Sequence, residues 1–195
     1  GRRMLLIDFF QKVLGISDEA LVQEALRVSE TRVLKKGEYL IRQGNMPTHV
    51  YFLMQGIARG VLTDVNGKEI TDCLAFRCGS PVMPSSDIDQ PAPIDIQTLT
   101  ECEVVRIAIP EVNRMLKEYP TLSELYRQMV MDWSRVHWEL KIAIYQYTAM
   151  ERYQWFQRSY PGLSEKISNK YIASFLNMTP VTLSRLKQEL KRQGD

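Results

Sequence analysis

From Arg32 to Ile109 the apolar residues fall into short runs of period two, punctuated by Gly37, Gly44, Gly56, Gly60, Gly67 and Gly79; after Pro110 the period is that of a helix. A chain that changes period once does not read as a βαβ sheet, in which strands and helices alternate throughout. It predicts an antiparallel β-roll followed by helices, an α+β fold. Asn66-Gly67 joins the Ile57–Thr63 run to the Glu69–Phe76 run and predicts a hairpin with a type I′ turn, both central residues at positive φ. Residues 79–93 hold Pro81, Pro84, Pro91 and Pro93 and read as an irregular loop, after which strands resume over Ile94–Leu99 and Glu103–Ile109. Ahead of the strands, Ser17–Ser29 reads as an amphipathic helix starting at Ser17-Asp18, with Leu21, Val22, Ala25, Leu26 and Val28 apolar.

Tyr119-Pro120 separates a short helix from a long one, and Thr121-Leu122-Ser123-Glu124 has the spacing of a capping box. Leu122, Tyr126, Met129, Trp133, Val136, Leu140, Ala143 and Tyr147 then recur in alternating steps of four and three. This is the seam of a helix that pairs with another; at ~1.5 Å per residue it runs about 40 Å. A stripe of this kind also serves to pack a helix on its own β-domain, but the length favours pairing. The expected division is a sensor roll over 1–120, a dimerisation helix over 121–147 and a C-terminal domain over 148–195, hinged at Tyr147-Thr148-Ala149.

With 45% hydrophobic and 25% charged residues the composition excludes collagen-like and largely disordered chains. The longest strongly apolar run, Val50–Met54, is too short to span a bilayer and no charged-then-apolar leader opens the chain, so a cytoplasmic protein without membrane contact is expected. Cys73, Cys78 and Cys102 do not make a disulfide framework, and Cys73 and Cys78 read as buried apolar residues. Charge is divided unevenly. Residues 1–150 carry a net −2, whereas residues 151–195 hold 8 Lys+Arg against 4 Asp+Glu, a net +4, which points to a polyanion-binding C-terminal module.

Within that module, Ser168–Gln188 has helix-turn-helix spacing: Ile172, Leu176, Met178, Leu183 and Leu186 fall where two crossed helices bury them, and Ala173 allows close approach. Asn177 stands at the turn, where a left-handed conformation is needed and Asn tolerates it. Thr179-Pro180 starts the second helix, Thr as N-cap and Pro at the first helical position. The expected DNA-contacting residues are Asn169, Lys170, Thr179, Val181, Thr182, Ser184, Arg185, Lys187 and Gln188; of the basic residues, Lys170, Lys187, Lys191 and Arg192 are expected to serve phosphates.

Lys36-Gly37-Glu38-Tyr39-Leu40-Ile41, Gln43-Gly44, Val50–Gly56 and Asn66-Gly67-Lys68-Glu69-Ile70, followed by Ile172-Ala173, Leu176, Met178-Thr179-Pro180 and Thr182-Leu183-Ser184-Arg185, together resemble the cyclic-AMP receptor protein / Fnr (Crp/Fnr) family of bacterial transcription regulators. The resemblance implies a cyclic-nucleotide-binding-like jelly roll, a long dimerisation helix and a C-terminal helix-turn-helix domain. It implies double-stranded DNA as partner, a homodimer, and RNA polymerase and an unknown small-molecule effector as further candidate partners; Arg185 stands where relatives contact a guanine. In cyclic-nucleotide binders of the family a Gly-Glu pair and an Arg followed by a small hydroxyl residue hold the ribose and phosphate. Here those stretches read Gly79-Ser80-Pro81-Val82 and Pro91-Ala92-Pro93-Ile94, with neither Glu nor Arg. A cyclic phosphate would lack its charge-assisted partner, so cyclic AMP is not expected as effector. Gly79, Ser80, Ala92 and Pro93, with His137 and Trp138 from the long helix, are the candidate effector-pocket residues.

Three cysteines do not supply the four ligands of an iron–sulfur sensor, and no cofactor or metal is expected. Pro180 and Val181 occupy positions that relatives often fill with charged base-reading residues, so the usual operator does not carry over. The chain ends at Asp195, which leads us to expect a reduced or absent C-terminal wing. Two other classes are alternatives: a ligand-sensing dimer that no longer binds DNA specifically, and a cupin-type enzyme, for which His49 and His137 are too few metal ligands. No Gly-x-Ser-x-Gly or phosphate-loop motif supports a hydrolase or NTPase.

Overall fold

A computed structural model describes residues 4–194. It divides into two compact units, the first running to Gly60 and continuing over Leu74–Asp132, the second made of Val61–Cys73 and the chain from Trp133 onward.

In the first unit a short helix α1 (Leu6–Asp8) runs into a π-helical turn, Phe9–Val13, that buries Phe9 and Phe10. Helix α2 (Glu19–Val28) is capped by Asp18, whose carboxylate accepts from the Leu21 amide at 3.3 Å, and buries Leu21, Val22 and Ala25. Strands β1 (Ser29–Leu34), β2 (Tyr39–Ile41), β3 (His49–Gln55), β4 (Ala58–Thr63), β5 (Glu69–Ala75), β6 (Asp95–Thr98) and β7 (Cys102–Ala108) follow, the second half of β4 and most of β5 belonging to the second unit. They form two sheets, of order β1-β7-β3 and β2-β6-β4-β5, and the resolved pairings are antiparallel.

The two-residue period decides which core each side chain enters. On β7, Cys102 and Val104 join Leu53, Ala58, Ile94 and Ile96 in a core supplied by both sheets, while Val105 and Ile107 turn the other way, into a core shared with Phe9, Phe10, Leu21 and Val112. Burial on both faces is why β7 reads as an almost unbroken apolar run. Helix α3 (Ile109–Glu118) closes the second of these cores with Ile109, Val112 and Met115.

Three local expectations are corrected. The turn between β4 and β5 is not type I′. Only Gly67 has positive φ (80°), and the Gly67 amide donates to the Asp64 carbonyl at 3.0 Å. The Asp64 carboxylate also accepts from the amides of Asn66 (2.8 Å) and Lys68 (2.9 Å), which favours a type I turn closed by a left-handed glycine. Helix α4 (Pro120–Gln146) begins one residue before Thr121, and Glu124 pairs with Arg127 at 2.6 Å in place of a capping box. Cys78 is exposed rather than buried, because it lies on the turn that follows β5, whereas Cys73 is half-buried and Cys102 buried. The 79–93 segment is irregular as expected, tied to β3 by Gly79 donating to the Leu53 carbonyl at 2.7 Å. A residue the sequence did not single out, Arg59 on β4, is buried and donates to Gln97 Oε1 at 3.0 Å.

The second unit takes the last part of α4, then α5 (Ala149–Ser159), a 3-10 turn over Leu163–Glu165, α6 (Asn169–Phe175) and α7 (Pro180–Gln193). A capping box does occur here, between Thr148 and Glu151, with Thr148 Oγ1 accepting from the Glu151 amide at 3.1 Å and Glu151 Oε1 from the Thr148 amide at 2.9 Å. The core is aromatic: Tyr160 stacks on Phe156 (5.3 Å between centroids) and meets Phe175 edge-on (5.3 Å), with Trp155 beside both. Among the described residues no helix is long and apolar enough to cross a membrane.

Candidate nucleic-acid interface

The second unit places a seven-residue helix and a fourteen-residue helix at either side of a tight turn. Ile172, Leu176, Leu183 and Leu186 are buried between and beneath them, Met178 is half-buried, and Ala173 has no exposed surface. Asn177 lies in the left-handed region (φ 56°), the only non-glycine among the described residues to do so. The turn is held from outside: Arg152 of α5 donates to the carbonyls of Leu176 at 2.6 Å and Asn177 at 3.2 Å. Ser168 caps α6 through the Lys170 amide, and Thr179 caps α7, accepting from the Thr182 amide at 3.1 Å.

The structure sorts the nine expected DNA-contacting residues into two groups. Val181, Ser184, Arg185 and Gln188 are all exposed, and their spacing of i, i+3, i+4 and i+7 sets them on one face of α7. Lys170 is exposed at the start of α6, 5.0 Å from the ring of Tyr171. The others are engaged within the unit. Thr179 donates its hydroxyl to Thr182 Oγ1 at 3.0 Å, and Lys187 Nζ donates to Asn169 Oδ1, joining α7 to the first turn of α6. Burial, with Lys191 adding repulsion, pushes the Lys187 ammonium below its usual pKa.

Two contacts in this unit were not visible in the sequence. The Thr71 amide of β5 donates to Ser174 Oγ of α6 at 2.6 Å. Next to it, Asp72 faces His137 of α4, with Oδ2 3.3 Å from Nε2, while the other ring nitrogen lies 2.8 Å from the Trp133 carbonyl oxygen. The Asp72 carboxylate holds the His137 pKa above its usual 6.5.

The expected seam of α4 is partly used inside the chain. Leu140 and Ala143 are buried, Leu122, Tyr126, Met129, Val136 and Tyr147 half-buried, and Trp133 is 40% exposed. The other apolar groups left open on α4 are Met131 (60%), Trp138 (59%), Ile142 (39%) and Tyr145 (79%), in steps of seven, four and three on a different face.

The candidate effector residues are divided between the two units. His137 and Trp138 belong to the second unit; Gly79, Ser80, Ala92 and Pro93 belong to the first. There, Ala92 is buried and exchanges backbone bonds with Gly44 and Asn45 at 2.8 Å, and Pro93 is exposed. A cavity of about 170 Å³ in the same unit is lined by Leu40, Asn45, Thr48, His49, Tyr51 and Val82 among others, and by none of those four. Among the described residues no three His, Cys, Asp or Glu side chains stand together where they could hold a metal ion.

Residues 31–119 match the family model described as cyclic nucleotide-binding domain. No curated protein matches the chain by sequence. Among solved structures it is similar to FixK2 from Bradyrhizobium japonicum (TM-score 0.76, 15% identity, covering 86% of each chain). It is also similar to a transcriptional regulator of the Crp/Fnr family from Eubacterium rectale (TM-score 0.71, 16% identity, 96% of this chain and 89% of that one). The fold is that of the Crp/Fnr regulators. Another protein of the Crp/Fnr fold, the c-di-GMP responsive global regulator CLP from Xanthomonas campestris, is similar over 91% of this chain and 93% of its own, with TM-score 0.73 and 13% identity. A Crp/Fnr fold accounts for the order of elements read from the sequence: roll, long helix, helix pair.

Proposed function

We infer that this protein is a dimeric, sequence-specific DNA-binding transcription regulator of the Crp/Fnr type, with α6 and α7 as its helix-turn-helix. The carrying observation is the face of α7 on which Val181, Ser184, Arg185 and Gln188 stand exposed while Leu183 and Leu186 are buried behind it. A helix presented this way fits the major groove with its N-terminal residues at the base edges, and Arg185 has the fork geometry that takes guanine O6 and N7. Lys170, Lys191 and Arg192 supply the phosphate contacts that set affinity without reading sequence.

Pairing of two copies through α4 would present two such helices about one DNA turn apart. The open Trp138, Ile142 and Tyr145 are the groups offered to a second copy. A signal received in the roll would act by changing the spacing of the two recognition helices. Cyclic AMP is not that signal on this reading, since Gly79-Ser80-Pro81-Val82 and Pro91-Ala92-Pro93-Ile94 bring no guanidinium to a phosphate.

The test compares Arg185→Ala with Lys170→Ala on specific and on nonspecific duplexes across a salt series. Arg185→Ala should relax base preference while sparing nonspecific binding, and Lys170→Ala should weaken both and flatten the salt dependence. Equal effects of both variants on both duplexes would overturn the assignment and leave a ligand-sensing dimer as the better reading.

A further inference from the structure

The proposed recognition face has one member that is out of character. Val181 is 79% exposed, among the most open large apolar side chains of the described residues, on a face otherwise polar or charged. Nothing local explains it. It lies in the first turn of α7 after Pro180, where the cap is already completed by Thr179 and the Thr182 amide, and a β-branched residue is a poor choice for a solvated helix position. Its neighbours in the turn are spoken for: Thr182 by its bond to Thr179, Leu183 by burial.

In the major groove, guanine and adenine present acceptors and an amino group, and cytosine presents an amino donor. Thymine alone adds an apolar group, the C5-methyl. Valine pressed against any of the polar edges would strip it of water and return no hydrogen bond, which is a penalty rather than a neutral outcome. Against the methyl, both partners leave water favourably.

We propose that Val181 is a specificity-determining residue that reads a thymine C5-methyl in the operator half-site, close to the guanine taken by Arg185. The spacing sets how close. Val181 and Arg185 are four residues apart on one face of α7, about 6 Å along the axis, so the thymine lies within about two base-pair steps of that guanine. This rests on the DNA-binding reading above and adds a base to it.

The experiment uses the full chain and a duplex it has itself selected from a random pool. Each thymine of one half-site is replaced in turn by deoxyuridine, which removes the methyl and keeps every hydrogen-bonding group. Wild-type protein should lose about fourfold in affinity at one thymine, the worth of one buried methyl group, and Val181→Ala should be indifferent to that replacement. Val181 is on the surface, so folding of the variant is not at stake, and its binding to a nonspecific duplex serves as the control. A specific duplex that tolerates deoxyuridine everywhere overturns this proposal and leaves the DNA-binding reading standing. So does a deoxyuridine effect of the same size in Val181→Ala, which would give the methyl to another side chain. A pool from which no sequence is selected removes the DNA-binding reading, and this proposal with it.

Discussion

Arg152 and Asn177 meet at the turn between α6 and α7: the guanidinium donates to the Asn177 carbonyl at 3.2 Å and to that of Leu176 at 2.6 Å, while Asn177 holds φ at 56°. The turn is thus fixed twice, by a residue able to adopt the left-handed conformation and by an arginine that satisfies the carbonyls it leaves open. Asn177→Ala is expected to lower unfolding stability by about 1 kcal/mol, because alanine keeps the Cβ in that region and loses the short polar side chain through which asparagine tolerates it. Asn177→Gly is expected to leave it within about 0.5 kcal/mol of the parent. Denaturant unfolding of the two variants side by side checks both.

Lys187 and Lys170 look alike in the sequence and differ in the structure. Lys187 is bound to Asn169 Oδ1, and Lys170 is exposed. Lys170→Ala should reduce the slope of log affinity against log salt by about one unit on DNA. Lys187→Ala should lower the melting temperature and leave the salt slope closer to that of the parent.

The two histidines should tilt the pH dependence of stability in opposite directions. His137 has its pKa raised, first by the hydrogen bond its ring donates to the Asp72 carboxylate, so its contribution is fully present below the ordinary value of 6.5 and is lost as pH rises through the higher folded value. His49 has its pKa lowered, first by burial and then by the Arg106 charge, so it weakens the fold as pH falls and the unfolded chain takes up the proton more readily. His137→Gln should therefore cost more stability at pH 5.5 than at pH 8, and His49→Gln should flatten the loss on the acid side. Unfolding curves at the two pH values that moved in parallel would contradict both assignments.

The faces of α4 give a fourth prediction. Leu140 is buried within the chain, so Leu140→Ala should destabilise the fold by about 2–5 kcal/mol. Trp138 is 59% exposed, so Trp138→Glu should leave the fold intact and shift the protein toward monomer in sedimentation. A Trp138→Glu variant as dimeric as the parent would place the contact between copies elsewhere.

These distinctions mark how far the sequence could be read. Asp18, Thr179-Pro180 and Asn177 were legible because a cap or a left-handed turn depends on the residue type at one position and on nothing distant. The strands were legible through their glycine boundaries and their period. The Asp64 turn was misread because Asn66-Gly67 favours one geometry while the Asp64 side chain, two residues upstream, secures another. The stripe on α4 was visible as a stripe, but periodicity does not say whether the same chain or another covers it, and Leu140 and Ala143 are covered from within. Lys187 could not be told from a phosphate ligand, since its partner Asn169 lies eighteen residues away and is brought near only by the crossing of α6 and α7. The contacts of Thr71 with Ser174 and of Asp72 with His137 are separated by 103 and 65 residues, beyond any local pattern.

The most direct test of the central claim is selection of bound sequences from a random duplex pool by the full chain at moderate salt, with and without cyclic AMP. The account expects a two-fold symmetric site, its half-sites about one helical turn apart, recovered equally in both arms and blurred when Arg185→Ala is used. A pool in which no sequence is enriched in either arm would contradict it.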